Sequence, residues 1–190
     1  MAVGFYFDMQ RCTGCRACQV ACKDKNRLDV GTILRNAHTY CVGSFPEVKC
    51  YSVSQSCNHC EQAACLENCP AGAIYRAPDG TVIQDAAACI GCQTCVNVCP
   101  FGHPQFIESQ GVAVKCDGCY AIRANGGQPA CVAGCPNRAL DFGEVDDLVA
   151  KYGPDCVSSI AVLPEADTLP NLLINAKPAA LEADFTEVKW

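Results

Sequence analysis

The stretch "KCDGCYAIRANGGQPACVAGCPNRA", Lys115 to Ala139, holds four of the nineteen cysteines of this 190-residue chain. Two residues separate Cys116 from Cys119, and three separate Cys131 from Cys135, which a proline follows directly. Eleven residues lie between the two pairs. The stretch is therefore a cysteine motif with a widened middle, and its role depends on the other cysteines of the protein.

Three similar motifs precede this stretch, and we number all four in sequence order. The first three are Cys12-x2-Cys15-x2-Cys18-x3-Cys22, Cys57-x2-Cys60-x4-Cys65-x3-Cys69-Pro70 and Cys89-x2-Cys92-x2-Cys95-x3-Cys99-Pro100. The third has the usual spacing of bacterial ferredoxins, and the first differs from it by Lys23 in place of the proline. Such spacing lets a short loop aim three thiolates at one iron-sulfur cluster, while the fourth cysteine ligates the other cluster of a pair.

Zinc sites and disulfides are the alternative roles for so many cysteines. Zinc needs two well-separated Cys-x2-Cys pairs, and a triplet at that spacing followed by Cys-Pro is not its pattern. Disulfides are disfavoured because cysteines in one tight loop rarely have bridging geometry, and the N-terminus "MAVGFYFDMQRC" shows no export signal. Iron-sulfur clusters are the favoured interpretation of sixteen cysteines. The other three, Cys41, Cys50 and Cys156, belong to no motif, and we interpret them as small buried hydrophobic residues.

The composition excludes several functions. A net charge of -6 and a pI near 5 argue against nucleic acid as a partner, because a phosphate-binding surface needs a basic excess. No apolar run approaches the roughly 18 residues of a membrane span. Aromatic residues make up only 7% of the sequence, so bound groups are expected to fill part of the interior. No catalytic triad, metalloprotease spacing or glycine-rich nucleotide loop is present, so we do not expect an enzyme by itself.

Two residues near the motif cysteines have open roles. His59, inside "CNHC", could donate a hydrogen bond to a cluster, but we expect it to be satisfied by nearby backbone. Lys115 lies next to Cys116, where it either raises a cluster potential or lies on the surface.

The segments between the motifs predict an α+β fold of two ferredoxin-like two-cluster units, one inserted in the other. A hairpin around "APDG", with Ile74 and Val82 on its two arms, joins the second and third motifs, so residues 57–100 form the inner unit. "VGFYFD" before the first motif and "RALDFG" after the fourth read as strands whose pairing closes an outer unit of residues 1–22 and 101–143.

Two further segments complete the predicted organisation. Residues 23–56 contain the strand-like runs "AHTYCV" and "VKCYSVS" around "GSFPE" and are interpreted as an inserted β-hairpin. Residues 144–190 begin with a helix in "EVDDLVAKYGP", which has acidic residues early and a lysine late. The rest of this segment has no clear periodicity and is expected to be an extended tail on its own domain or on a neighbour.

On this topology the ligands cross between motifs, and we expect four 4Fe-4S clusters, one for each of four groups. Group A is Cys12, Cys15, Cys18 and Cys135. Group B is Cys22, Cys116, Cys119 and Cys131. Group C is Cys57, Cys60, Cys65 and Cys99. Group D is Cys69, Cys89, Cys92 and Cys95.

Four motifs in this order resemble the four-cluster iron-sulfur subunit of the dimethyl sulfoxide reductase family of molybdopterin oxidoreductases. The resemblance is carried by "CTGCRACQVACK", "CNHCEQAACLENCP", "CIGCQTCVNVCP", "KCDGC...CVAGCP" and "TLPNLLI". It implies a non-catalytic subunit that relays electrons between a quinol-oxidising membrane partner, or another donor, and a catalytic subunit that holds molybdopterin. It further implies a position at the membrane through partners only, either cytoplasmic or exported with a signal-bearing partner.

Other functions remain open beside this resemblance. An independent soluble polyferredoxin, shuttling electrons between enzymes, would need the same four cluster motifs. The same relay could also serve a formate dehydrogenase, a thiosulfate or polysulfide reductase, or an aromatic dehydroxylase.

Overall fold

The computed structural model of the protein describes residues 2–189, in which ten short strands, six helices and one 3-10 helix form an α+β fold. The strands are β1 (Val3–Asp8), β2 (Arg35–Val42), β3 (Lys49–Ser56), β4 (Ile74–Arg76), β5 (Val82–Gln84), β6 (Gln105–Ile107), β7 (Val112–Val114), β8 (Leu140–Glu144), β9 (Leu172–Asn175) and β10 (Phe185–Val188). The helices are α1 (Ala17–Lys25), α2 (Ala64–Glu67), α3 (Thr94–Val98), α4 (Tyr120–Ala124), α5 (Ala130–Ala133) and α6 (Val145–Tyr152), and Pro178–Leu181 is the 3-10 helix. None of these helices is long and apolar enough to cross a membrane.

The first sheet has the strand order β8-β1-β9. The predicted pairing of "VGFYFD" with the strand after the fourth motif is confirmed: β1 and β8 are antiparallel, with Phe5 opposite Phe142. All six residues of β1 are buried, and β9 pairs with its other edge in parallel register. The two strands that flank the first and fourth motifs are thus held side by side.

The second sheet has the order β10-β2-β3 and contains the predicted hairpin of β2 and β3. Its third strand comes from the C-terminal tail, as does β9 of the first sheet. The tail therefore lies on its own domain, and it is more regular than the extended segment we expected. The sequence did not predict these strands, because each has only four residues and shows no regular alternation of apolar and polar residues.

Two small hairpins lie beside the cysteine motifs. The hairpin of β4 and β5 is the one predicted around "APDG", with Tyr75 opposite Ile83. The hairpin of β6 and β7 follows the third motif and was not predicted, since three-residue strands carry little alternation. The predicted helix in "EVDDLVAKYGP" is confirmed as α6.

Helices α1, α2, α3 and α5 run through the ends of the four motifs. Three of them end before the proline of their motif, because proline disfavours helix in the residue before it. In the first motif Lys23 stands at that place, and α1 continues to Lys25. The ammonium of Lys23 donates to the carbonyl oxygens of Asp29 and Thr32, so the departure from the motif orders the following turn. The helix also runs past the boundary between residues 22 and 23 of the predicted units.

The gap in the fourth motif contains a helix. Residues 120–124 form α4, and Gly126, at φ 78°, reverses the backbone before α5 begins at Ala130. Because only glycine adopts this region without strain, the turn depends on that residue. The widened middle of this motif is thus a helix followed by a tight turn.

Cysteine side chains make up a large part of both apolar cores. In the larger core Cys18, Cys57, Cys116, Cys131 and Cys135 are buried with residues of the first two sheets. The smaller core contains Ile74, Val82 and Ala113 with Cys95. Motif cysteines are thus members of both cores.

The C-terminal tail joins the first sheet to the second motif through Asn171. The backbone N-H of Phe5 donates to the Asn171 carbonyl oxygen at 3.2 Å, and the Asn171 side chain donates to the carbonyl oxygen of His59 at 2.7 Å. Gly4 makes this approach possible, since a Cβ added there would lie 2.0 Å from the same Asn171 oxygen.

We expect Gly4→Ala to lower the free energy of unfolding by about 1–3 kcal/mol, because the new methyl group must displace the tail from β1. Gly143→Ala is the matched control. Gly143 faces Gly4 across the sheet, and its added Cβ would meet only Leu148, at 3.9 Å. Denaturant unfolding of the iron-loaded protein measures both variants, and equal effects would contradict the close contact with the tail.

Candidate iron-sulfur sites

Three cavities bring twelve of the sixteen motif cysteines together, four to a cavity. One cavity, of about 380 Å³, is lined by Cys57, Cys60, Cys65 and Cys99. The second, of about 330 Å³, is lined by Cys12, Cys15, Cys18 and Cys135. The third, of about 320 Å³, is lined by Cys69, Cys89, Cys92 and Cys95. These volumes include space open to solvent, and the cysteines are those of groups C, A and D.

The cysteines of group B lie close together in the interior. All four are buried: Cys22, Cys116, Cys119 and Cys131. The Cys131 thiol lies close enough to the other three thiols to raise the pKa of each. The Cys22 thiol likewise raises the pKa of Cys116. The structure thus gathers these cysteines from α1, from the loop before α4 and from α5.

Two pairs of packed helices carry cysteines of two groups each. Cys18 and Cys22 are four residues apart on α1, and one belongs to group A and the other to group B. Helix α5 packs against α1 so closely that a Cβ on Gly134 would lie 2.8 Å from the Cβ of Ala21. The second pair is α2 with α3, at the second and third motifs.

The motif loops turn through left-handed residues at matching positions. In the first and third motifs these are Gly14 and Gly91, both at φ 70°, and His59 has φ 46° at the same place in the second. Successive turns of this kind point backbone N-H groups into a common concavity, where they favour a negatively charged group. In the fourth motif the N-H of Gly118 already donates to the Cys116 sulfur at 3.4 Å.

Several motif cysteines must lose a proton before they can bind a metal. Burial raises the pKa of the Cys22 thiol to about 11 and that of Cys65 to about 12, and it raises the pKa of Cys116 well above its usual range. These thiols are therefore neutral at pH 7 in the metal-free protein. Metal binding must release their protons, so loading becomes easier as the pH rises.

The donor set fits a multi-iron cluster better than a single ion. Within residues 2–189, no three His, Cys, Asp or Glu side chains converge closely enough for one metal ion. Four thiols around an apolar cavity, with backbone N-H groups turned toward it, suit a 4Fe-4S cluster, whose irons are ligated one by each cysteine.

His59 lies at the cavity of group C and is fully buried. Its Nδ1 accepts the backbone N-H of Val82 at 3.2 Å, so the proton of the neutral ring is on Nε2. Burial lowers the pKa of His59 well below its usual range, and the charges of Lys115 and Arg123 lower it further. Nε2 has no hydrogen-bond partner among the described residues. The expected backbone contact is thus present at Nδ1 only.

The surface alternative for Lys115 is wrong, because the residue is only 6% exposed. Its ammonium donates to the carbonyl oxygens of Val82 and Cys116. The fold buries it because the hairpin of β4 and β5 packs over the start of the fourth motif.

The prediction that Cys41, Cys50 and Cys156 are small buried hydrophobic residues is wrong. Cys41 lies opposite Cys50 in the register of β2 and β3, and the two form a disulfide with their Cα atoms 4.1 Å apart. Cys50 is exposed and the other two are partly buried. Cysteine spacing does not indicate this disulfide, because it depends on the register of two paired strands.

We expect Gly91→Ala to prevent iron binding at the cavity of group D. The added Cβ would lie 2.3 Å from the carbonyl oxygen of Gly111, in a loop that already has positive φ. Gly102→Ala is the control, since Gly102 has φ 62° but no atom within 4 Å of an added Cβ, so only about 1–2 kcal/mol of backbone strain is expected. Iron and sulfide content measures both variants. Equal iron loss would show that backbone strain alone matters.

Comparison with known proteins agrees with this geometry. A 4Fe-4S dicluster domain model matches residues 48–145, and a 4Fe-4S binding domain model matches residues 9–26. The B subunit of the anaerobic dimethyl sulfoxide reductase of Escherichia coli K12 is 45% identical over 93% of this protein and 89% of its own length. The subunit of the same name from Haemophilus influenzae is 43% identical over 95% and 93%.

A more distant relative is also named for electron transfer. The thiosulfate reductase electron transfer subunit of Salmonella typhi is 42% identical over 74% of each protein. The matches to 4Fe-4S domains and to electron-transfer subunits of reductases agree with the cysteine-lined cavities. The chain therefore belongs to the family of iron-sulfur B subunits of anaerobic dimethyl sulfoxide reductases, which are electron-transfer subunits of oxidoreductase complexes and not catalytic by themselves.

Proposed function

We propose that groups A to D hold four 4Fe-4S clusters, through which the protein relays electrons to or from the molybdopterin-containing catalytic subunit of an anaerobic reductase of the dimethyl sulfoxide type. The observation that carries the proposal is the convergence of four cysteines, three from one motif and one from another, on each of three cavities. A 4Fe-4S cluster supplies reversible one-electron exchange. The protein supplies the ligands, the spacing and the surrounding charge.

The positions of the cysteines support a linear order A-B-C-D. Helix α1 carries cysteines of groups A and B. The thiol of Cys57 in group C lies close enough to Cys116 in group B to raise its pKa. Group D adjoins group C through α2 and α3. Among the motif cysteines only Cys15, in group A, and Cys92, in group D, are exposed. A relay in this order has an exposed cysteine in each end group and none in groups B and C.

The accessible ends suit two partners. One end would face the catalytic subunit, and the other a donor, for which we propose a membrane anchor subunit that oxidises quinol. The protein would then be peripheral to the membrane through its partners, on a side set by them. The identity to dimethyl sulfoxide reductase B subunits over most of both sequences favours that reductase type over thiosulfate reduction.

The domain organisation is part of the same proposal. Residues 1–22 and 101–143 form an outer two-cluster unit, and residues 57–100 form an inner one inserted within it. The antiparallel pair of β1 and β8 supports the closure of the outer unit. Residues 23–56 add the hairpin of β2 and β3, and residues 144–190 add α6 and the tail strands.

We expect Cys12→Ser and Cys135→Ser to alter the same reduced-cluster signal in electron paramagnetic resonance, because both residues line one cavity. The double variant should lose no more of the total signal than the more severe single variant. Cys131→Ser, in group B, should alter a different signal.

Cys156→Ser is the control, since Cys156 lies outside all four groups, and it should retain full iron content and all signals. A Cys135→Ser variant that perturbs the signal affected by Cys131→Ser, and leaves that of Cys12→Ser intact, would refute the crossing of ligands.

Purification of the native protein tests the functional proposal. We expect it to co-elute with a large molybdenum-containing subunit, and the isolated complex to reduce dimethyl sulfoxide. A native monomer that carries full electron-transfer activity alone would instead identify an independent polyferredoxin.

A further inference from the structure

Arg35 and Lys115 are buried cations without a carboxylate partner. They are 2% and 6% exposed, and neither lies in an ion pair with any described residue. Two half-buried cations of the protein do have such partners. The guanidinium of Arg123 lies 2.7 Å from Asp79, and the ammonium of Lys25 lies 3.2 Å from Asp117.

Arg35 is held by neutral groups alone. Its Nη1 donates to the carbonyl oxygen of Ser54 at 3.3 Å and to the Ser54 hydroxyl at 3.0 Å, while Nη2 donates to the Ser56 hydroxyl at 2.6 Å. The guanidinium lies over the ring of Phe5, 4.2 Å from its centroid. Its Nε has no partner among the described residues. These contacts orient the guanidinium but do not neutralise its charge.

The titratable groups near Arg35 are four thiols of groups A and B and the imidazole of the partly buried His103, which lines a cavity together with Arg35. The thiols are those of Cys18, Cys22, Cys116 and Cys131. The hydroxyl of Ser54, which accepts from Arg35, also lies 3.3 Å from the Cys18 sulfur. One hydroxyl therefore links the guanidinium to group A, and the cation lies between the two groups.

Lys115 lies between groups B and C in the same way. It precedes Cys116 of group B in the sequence, and Val82, whose carbonyl oxygen accepts from its ammonium, lines the cavity of group C. Its ammonium donates only to backbone carbonyl oxygens, those of Val82 and Cys116. Both buried cations thus lie at junctions of the order A-B-C-D.

A buried charge without a counter-charge is costly, by several kcal/mol even after relaxation and water penetration. An iron-sulfur cluster with four thiolate ligands is negatively charged, and reduction adds one further negative charge. A nearby cation in a low-dielectric interior favours the reduced form, so it raises the reduction potential. The same pairing offsets the burial of the cation.

We propose that Arg35 and Lys115 are the counter-charges of the relay, at the A-B and B-C junctions, and that they raise the reduction potentials of the clusters on either side. This inference rests on the proposed ligation of clusters by groups A to D. It assigns to each cation an electrostatic role in addition to packing.

Redox titration of the native complex, followed by electron paramagnetic resonance, tests the inference on Arg35→Gln, Arg35→Met and Arg35→Lys. We expect the two neutral variants to move the potentials of clusters A and B to more negative values, with a smaller shift at cluster D. Arg35→Lys keeps the charge and should stay near wild type. Lys115→Met should instead make the reduction potentials of clusters B and C more negative.

Arg138→Met is the matched control. Arg138 is exposed and lies three residues after Cys135, so water screens its charge. Removing that charge should shift the reduction potential of cluster A far less than removing the charge of Arg35. Potentials that are unchanged in the neutral variants, or shifted equally by Arg138→Met or Arg35→Lys, would overturn the inference.

Iron content separates this inference from the proposed function. A wild-type protein with fewer than four clusters refutes the ligation itself, whereas four clusters with unshifted variants refute only the role of the cations. If the neutral Arg35 variants lose iron, we expect Arg35→Lys to retain it. A lysine variant that loses iron as well would show a packing role and overturn the inference.

Discussion

Cysteines four residues apart on one short helix face different groups, and much of the fold follows from this constraint. Cys18 lines one cavity with Cys135, while Cys22 lies with the thiols of Cys119 and Cys131. A helix can present its two ends to different cavities only if partners from distant motifs approach it closely. The contact of α1 with α5, at Gly134, provides that approach and joins the first motif to the fourth across more than a hundred residues.

The strands hold the motifs in this arrangement. Two-residue and three-residue spacings leave the motif loops with little regular structure of their own, and ordering them costs conformational entropy. The pairing of β1 with β8 fixes the first and fourth motifs. The tail adds a strand to each sheet and, through Asn171, reaches the loop of the second motif. Contacts far apart in sequence thus hold loops that local structure alone would not order.

Charge gives the interior its second constraint. Residues 2–189 bury thiols, a guanidinium and an ammonium with few carboxylates among them, since Asp8 is the only buried acid in this range. Hydrogen bonds from Arg35 to Ser54 and Ser56, and from Lys115 to backbone carbonyls, satisfy the donors without neutralising them. Such an interior is favourable when the bound groups are anionic, as the proposed clusters are.

The amino-acid sequence by itself determined the four motifs and the hairpins and helix with local signals. Cysteine spacing is a local property, and turn residues such as those of "APDG" act within a few positions. Together with the family resemblance, these features predicted an electron-transfer subunit. The pairing of β1 with β8 also followed, because both runs are apolar and flank motifs.

Only the tertiary structure decided the tail strands, the Cys41–Cys50 disulfide and the burial of Arg35 and Lys115. A four-residue strand is stabilised by an edge that another segment supplies, and a cross-strand disulfide needs a particular register. A lysine or arginine is exposed in most sequence contexts. Its burial here depends on segments far apart in sequence, such as β3 beside Arg35 and β5 beside Lys115, so it is a property of the assembled interior.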